Sequence, residues 1–201
     1  MLTFFDIETS GLSAHTDGLL QFAALQCDDM MNPVRAVSHY VYEPDRKWSA
    51  EAEAVHGLSR DYMATVAEPL DEVVPSLYAM LQYGSLVGYN NISFDTPFIS
   101  HWLLRQGCPA IQVVQQYDVM KMWEQELGHR PKLQTLRENL GMPVEAVQMV
   151  TNVLFNSKNP RPHDACYDVV VTYLCYKEIK RRHDIKRKAA PPPPAIIDVD
   201  M

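Results

Sequence analysis

The sequence lacks the long apolar segments and targeting signals of membrane and secreted proteins. No run in its 201 residues approaches the roughly 18 consecutive apolar side chains of a membrane-spanning helix. The first residues, Met1-Leu2-Thr3-Phe4, have neither the basic nor the apolar part of a signal peptide. With 47% hydrophobic residues the chain can bury one good core, and its length favours a single domain. We therefore expect a cytoplasmic protein without membrane contact.

The cysteines lack the paired spacing of zinc sites and disulfide frameworks. Cys27, Cys108, Cys166 and Cys175 are scattered, and no CxxC pair occurs. Cys166 and Cys175 lie nine residues apart, which on a helix places them on opposite faces. Neither a disulfide nor a zinc site is predicted.

The chain also lacks the excess of positive charge that is common in nucleic-acid-binding proteins. Its formal net charge is −7. The charge is uneven, because residues 177–188 carry seven basic and two acidic side chains and leave −12 for the rest. An acidic body argues against non-specific coating of DNA. It is compatible with an enzyme that meets phosphates through bound metal ions and a local basic patch.

What the sequence does contain is a short apolar strand with two acids, FFDIETSGL at residues 4–12. Because side chains alternate on a strand, Asp6 and Glu8 share a face, with Cα atoms about 7 Å apart, whereas Phe5 and Ile7 point into a core. Two acids on one face repel each other. Such a pair is usually neutralised by a divalent cation that prefers oxygen ligands, Mg²⁺ or Mn²⁺. The strand therefore predicts one half of a two-metal phosphodiesterase site.

The remaining pattern predicts an α/β fold, a mixed five-stranded sheet flanked by helices in the order β-β-β-α-β-α-β-α-α. The four later strands are expected at 19–28, 34–43, 85–89 and 111–117. Helices are expected within 49–63, at 70–82, 93–106, 118–127 and 133–140, and at about 164–182. Residues 143–162 have no readable pattern. We assign residues 1–182 to one domain and 183–201 to a basic, then proline-rich tail without fixed structure.

Two later segments add acids beside predicted strand ends and helix starts. The segment VGYNNISFD ends at Asp95, where a helix follows a strand. The segment HDACYD places His163 on a loop and Asp168 in the first turns of the last helix. Together with Asp6 and Glu8, the chain thus offers four acids and one imidazole.

This combination resembles the DEDDh family of 3′-to-5′ exonucleases, which have a ribonuclease-H-like fold. The motifs D-x-E, N-N-x-x-F-D and H-x-A-x-x-D occur in the family's order and spacing, and the resemblance covers residues 1 to about 182. Within the family, QFAA at 21–24 and GYNN at 88–91 are most similar to the nuclease domain of bacterial exonuclease I, a single-strand DNA exonuclease. Residues 144–162 depart from that pattern.

The resemblance implies a role for each motif residue. The carboxylates of Asp6, Glu8, Asp95 and Asp168 would hold two Mg²⁺ or Mn²⁺ ions, one activating a water and the other stabilising the leaving 3′ oxygen. His163 would accept the proton of that water, since an unperturbed pKa of about 6.5 suits neutral pH. The product would be a 5′-nucleoside monophosphate. The resemblance also implies substrate contacts from Thr9, Leu12, Val55, His56, Asn91 and Phe94.

Other charged residues have a simpler interpretation. We interpret Asp118 and Asp164 as helix N-terminal acids. Arg130, Lys132 and Arg137 are interpreted as a solvated helix face, with phosphate contacts as the alternative.

The expected partner is the 3′ end of single-stranded DNA. RNA is the alternative within the same class, since two metals cleave either polymer and no residue indicates a test for the 2′-hydroxyl. The alternative from another class is a non-catalytic or proofreading module tethered to a polymerase by its proline-rich tail. The intact set of four acids and His163 favours the enzyme.

Overall fold

The computed structural model describes residues 1–82 and 84–189, and the side chains up to residue 186. Its strands are β1 Leu2–Thr9, β2 Leu19–Cys27, β3 Pro33–Tyr40, β4 Ser85–Gly88 and β5 Gln115–Asp118. Its helices are α1 Ala50–His56, α2 Arg60–Val66, α3 Leu70–Leu81, α4 Asp95–Arg105, α5 Val119–Leu127, α6 Leu133–Asn139, α7 Val144–Phe155 and α8 Ala165–Ala189. None of these helices is long and apolar enough to cross a lipid bilayer.

The strands form one mixed sheet in the order β3-β2-β1-β4-β5, which confirms the predicted architecture. The first three strands are antiparallel, whereas β4 and β5 run parallel to β1. The pairing between β1 and β4 ends at Phe4 and Val87. The second half of β1 is therefore open on its β4 side, and this opening lies at the carboxyl ends of the parallel strands, where α/β sheets commonly bind ligands.

The two faces of the sheet carry two layers of helices. Phe4 of β1 packs edge to face with Tyr173 and Tyr176 on the face that α8 covers. Phe5 points to the other face, where it belongs to a cluster with Leu77 of α3 and Trp102 of α4. The alternation predicted for β1 is thus present, because successive side chains enter different cores.

Four elements differ from the sequence prediction. β3 ends at Tyr40 rather than at residue 43. β5 begins at Gln115 rather than at residue 111, and its ladder with β4 starts where Gln115 pairs with Ser85. α7 occupies a region without a readable pattern. Val147 and Thr151 are buried, and four partly buried side chains pack against the same core: Val144, Val150, Leu154 and Phe155. Met149 and Val153 are exposed, so apolar residues on the outer face obscure this stripe in the sequence.

The last helix was expected to end near residue 182 and continues to Ala189. Ion pairs support the extension, since Arg181 and Arg182 pair with Glu178 and Lys186 pairs with Glu126 of α5. The proline-rich part of the predicted tail, residues 190–201, lies outside the described residues.

Candidate active site

Three carboxylates meet on the α8 side of the sheet. Asp6 and Glu8 point to this side because they alternate with Phe5 and Ile7. Asp168 lies in the first turn of α8, which packs on β1. One carboxylate oxygen from each of Asp6, Glu8 and Asp168 lies within 4.8 Å of the other two. Side chains from opposite ends of the chain therefore converge at one point.

Asp95 joins this cluster at the opening beside β1. It is the first residue of α4 and is buried, with 5% of its surface exposed. The backbone N–H of Ile7 lies close enough to the Asp95 carboxylate to lower its pKa, where the β4 ladder no longer reaches. The turn before α4 is tight, because a Cβ on Gly88 would lie 2.9 Å from Cγ of the buried Asn91. The predicted four-acid set is thus assembled by β1, α4 and α8.

Burial and mutual repulsion raise the pKa values of all four acids. Burial raises the pKa of Asp6 and of Glu8 well above its ordinary value, and the charges of Asp95 and Asp168 add to the effect. Burial likewise raises the pKa of Asp95 and of Asp168 to about 7, although hydrogen bonds from the backbone moderate both shifts. The ionised form of the four acids is therefore unfavourable, and a bound cation would stabilise it.

The composition of the cluster fits a hard divalent cation. All of its donors are carboxylate oxygens, which Mg²⁺ and Mn²⁺ prefer. Among the described residues, no Lys or Arg forms an ion pair with any of the four acids. Asp6, Glu8, Asp95 and Asp168 are therefore the residues that could hold a metal ion.

A side chain that the sequence did not single out orients one of these acids. Gln134 of α6 donates a hydrogen bond of 2.8 Å from Nε2 to Asp168 Oδ1. Arg137 donates from Nε to Gln134 Oε1 over 3.3 Å and from Nη1 to the carbonyl oxygen of Met142. Arg137 is only 6% exposed, so its interpretation as part of a solvated face is wrong. No sequence signal distinguishes Gln134 from other polar residues of an amphipathic helix.

His163 lies at the solvent-exposed edge of the carboxylate cluster. It precedes α8 on a loop with a left-handed φ of 61°, and its side chain is 52% exposed. Its backbone N–H donates to Asp168 Oδ2 over 3.3 Å, and its Nδ1 lies 4.0 Å from the same oxygen. An imidazole in this position faces both solvent and the carboxylates.

Two further acids serve as helix caps, as predicted. Asp164 Oδ1 accepts from the backbone N–H of Cys166 over 2.9 Å at the start of α8. Asp118 Oδ1 accepts from the N–H groups of Met120 and Lys121 at the start of α5. Gln21 of β2 also anchors α8, because its Oε1 accepts from the N–H of Ala165.

The predicted substrate residues fall into exposed and buried groups. Leu12 and Val55 are exposed, and Phe94 is half-buried. Leu12 and Phe94 line one slot of about 270 Å³ with Pro97. The buried members of the set are Thr9, His56 and Asn91.

Two of the buried members, Thr9 and His56, have structural contacts of their own, whereas the side-chain amide of Asn91 has no hydrogen-bond partner among the described residues. Thr9 Oγ1 donates to the carbonyl oxygen of Gly11 over 2.7 Å. His56 Nδ1 accepts from the N–H of Leu58 over 3.0 Å, and burial lowers the pKa of His56. His56 lines a second cavity, which is separate from the slot of Leu12 and Phe94.

A family model described as RNase_T, exonuclease, matches residues 3–176. The chain belongs to this exonuclease family. All four acids and His163 of this exonuclease-family chain lie within the matched range, and its mixed sheet matches the ribonuclease-H-like fold of exonuclease I.

Individual relatives agree with the family assignment. DNA polymerase III PolC-type of Lactococcus lactis is 30% identical over 107 residues, which are 53% of this exonuclease-family chain and 6% of the polymerase. E. coli exonuclease I in complex with a dT13 oligonucleotide has a TM-score of 0.72 at 18% identity, over 93% of this chain and 42% of that one. The zinc-bound E. coli exonuclease I–ssDNA complex has a TM-score of 0.71 at 19% identity, over 92% and 41%. The exonuclease-family chain therefore spans about two fifths of those structures, and at these identities they show a shared fold.

Proposed function

We propose that the chain is a metal-dependent 3′-to-5′ exonuclease that releases 5′-nucleoside monophosphates from single-stranded DNA. The observation that carries the proposal is the convergence of the Asp6, Glu8 and Asp168 carboxylates within 4.8 Å, with Asp95 beside them. Four acids at one point serve no evident structural purpose, because their repulsion is not offset by an ion pair with a described Lys or Arg. The family match over residues 3–176 supports the same chemistry.

The four acids are proposed to hold two Mg²⁺ or Mn²⁺ ions. When bound, such a pair supplies an activated water and stabilises the leaving oxygen of a phosphodiester. The zinc-bound E. coli exonuclease I supports a divalent ion in a protein of this fold. Asp168 is held by Gln134, so one of the proposed ligands is oriented before an ion binds.

His163 is proposed to be the general base. Its ring is 52% exposed, and its Nδ1 lies 4.0 Å from Asp168 Oδ2, so it can reach both solvent and the acids. A histidine that accepts a proton from water at neutral pH and then releases it to solvent satisfies both requirements of the role. Attachment of its backbone N–H to Asp168 keeps the ring near the acids.

The end of the strand is proposed to bind around the turn that follows β1. Leu12, Phe94 and Val55 offer apolar surface on which bases can stack without sequence recognition. The buried side chains of Thr9, His56 and Asn91 would form the walls beneath the terminal nucleotide. Single-stranded DNA is favoured because the E. coli exonuclease I structures are complexes with such oligonucleotides.

The test is a digestion of labelled DNA and RNA strands, with free or blocked 3′ ends, in Mg²⁺ or Mn²⁺. Stepwise shortening of DNA from free 3′ ends is expected, and Asp6→Asn should abolish it. Asp71→Asn is the matched control, since Asp71 is an exposed acid in the first turn of α3. Internal cuts would show an endonuclease and overturn the proposal. If RNA is shortened at the same rate as DNA or faster, the proposed preference for DNA is wrong.

A proofreading role is the second candidate, because the PolC-type relative is a polymerase. In this role the chain would be tethered to a polymerase through its proline-rich residues. Deletion of residues 190–201 separates the candidates. Both candidates should keep their rate of oligonucleotide digestion after the deletion. Only a tethered module should bind a polymerase as the full chain and lose that binding on deletion, so binding to a polymerase decides between them.

A further inference from the structure

A large cavity lies next to the carboxylates on the same face of the sheet. It measures about 720 Å³, within the range of about 300–1,000 Å³ that is typical of small-molecule sites. The strand register places Gln21 opposite Glu8, and Tyr40 opposite Gln21. Gln21 and Tyr40 line the cavity, so it continues the row of side chains that begins at Glu8.

One wall of the cavity is aromatic. Tyr40 of β3 and Tyr62 of α2 contact each other edge to face, with ring centroids 6.2 Å apart and planes at 82°. Tyr62 is 44% exposed, so part of its ring is free for another partner. Exposed aromatic rings bind nucleobases by stacking, which is worth about 1–3 kcal/mol per base and tolerates every base.

The rim of the cavity is positive. Lys158 of the loop between α7 and α8 is exposed and forms no ion pair with the described residues. Arg161 donates one hydrogen bond from Nη2 to the carbonyl oxygen of His56, over 3.1 Å, and has no acidic partner in the described part of the chain. Asp164 also lines the cavity and contributes one negative charge, and its Oδ1 accepts from the N–H of Cys166 and from Gln21 Nε2. Two cations are therefore available to a phosphate.

His163 connects the cavity with the carboxylate cluster. It lines the cavity and lies 4.0 Å from Asp168. The imidazole, the two cations and the tyrosine pair thus line one cavity beside the carboxylates. Such a cavity offers partners for both the phosphate and the base of a nucleotide.

We propose that this cavity is a second binding site, which holds a 5′-nucleoside monophosphate after its release. The proposal rests on the proposed function in one respect, that a mononucleotide is the product. It adds a site outside the carboxylate cluster, with Tyr62 stacking on the base and Lys158 and Arg161 binding the phosphate. A product held there slows the next turnover, so the protein is subject to inhibition by its own product.

The experiment measures binding of dTMP to the full chain by calorimetry in EDTA, where no hydrolysis occurs. Saturable binding is expected at one site, with weaker binding of thymidine and of inorganic phosphate. Tyr62→Ala and Lys158→Ala should each raise the dissociation constant at least about fivefold, the effect of losing about 1 kcal/mol of stacking or of phosphate contact. Tyr62→Phe should restore it, because the ring is retained. Lys132→Ala, at another exposed lysine, is the matched control.

The dTMP measurement tests the second site separately from the proposed nuclease activity. Absence of saturable dTMP binding, or a dissociation constant that neither Tyr62→Ala nor Lys158→Ala changes, would overturn the second site. Loss of dTMP binding in Asp6→Asn would assign the nucleotide to the carboxylate cluster and overturn it as well. Failure of the digestion assay with intact, Tyr62-dependent dTMP binding would overturn only the proposed function.

Discussion

Gln134 and Asp168 are joined by a hydrogen bond of 2.8 Å between side chains of two different helices. The bond fixes the rotation of the Asp168 carboxylate, and Arg137 fixes Gln134 in turn. Arg137 is buried and bound to the carbonyl oxygen of Met142, in the turn after α6, so its own position is fixed. The position of one proposed metal ligand is therefore set from outside the cluster.

Replacement of Gln134 by leucine should lower affinity for Mn²⁺. The variant keeps the volume of the side chain and removes its donor, so Asp168 is free to rotate. Changes of this kind to the partners of metal ligands typically cost about 10- to 100-fold in affinity or activity. Titration with Mn²⁺, followed by electron paramagnetic resonance, measures the effect. Gln125→Leu, at an exposed glutamine of α5, is the control, and equal affinities in both variants would contradict the role of Gln134.

Replacement of His163 by alanine should slow hydrolysis by about 10² or more and leave metal binding unchanged. The reason is that the ring lies at the solvent-exposed edge of the cluster and outside its set of oxygen donors. Single-turnover rates and Mn²⁺ titrations of the same preparation separate the two effects. His129→Ala controls for loss of an exposed imidazole. A parallel fall in metal affinity would show that His163 is a ligand.

The stability of the metal-free protein should fall as pH rises from about 4 to about 8. Asp95 and Asp168 have a folded-state pKa of about 7 against an ordinary value of 3.8, so the folded state binds protons more tightly. Their contribution is fully present below the ordinary value and is lost as pH rises through 7. Thermal melts in EDTA should show the decline, and Mn²⁺ should reverse it at pH 8.

The variant Asp6→Asn tests the cause of that decline. Removal of one of the repelling charges should raise Tm at pH 8 by at least about 3 °C, the shift expected for about 1 kcal/mol in a domain of this size. The gain should shrink toward pH 5, where the neighbours of Asp6 are protonated. A gain that is equal at both pH values would have to arise from something other than repulsion.

Gly57→Ala should destabilise the protein more than Gly141→Ala. Both glycines have a left-handed φ, 70° and 68°, so alanine costs each variant about 1–2 kcal/mol. Only at Gly57 does a Cβ collide with a neighbour, the guanidinium of Arg161, whereas nothing lies within 4 Å at Gly141. Denaturant unfolding of both variants measures the difference. Equal losses would mean that Arg161 moves away at no cost.

The sequence predicted the elements whose side chains repeat with a clear period. The stripe from Leu70 to Leu81 matches α3, and the alternation around Asp6 and Glu8 matches β1. It also predicted that β1, the start of α4 and the start of α8 would meet, because each carries an acid of a known motif. Periodicity and motif spacing can be seen in the sequence of a single segment, so elements with a clear period or motif can be predicted from it.

The remaining features depend on contacts that no local pattern records. The start of β5 is set by where β4 begins, and the length of α8 by ion pairs such as Lys186 with Glu126. Arg137 is charged and lies on a short helix, but Gln134 and the carbonyl oxygen of Met142 allow it to be buried. The cavity beside Glu8 is formed by two strands, the turn after α1 and the loop after α7, whose proximity is visible only in three dimensions.

At the opening of the sheet beyond Phe4, the regular elements that carry the acids lie beside loops, and the two differ in how freely their sequences can change. The four acids are held by one strand and two helices, whereas Leu12, Lys158 and His163 lie on loops. Loops tolerate insertions and replacements that a sheet does not. Substrate range and product retention can therefore diverge between descendants of this chain while the ion-binding framework is inherited unchanged.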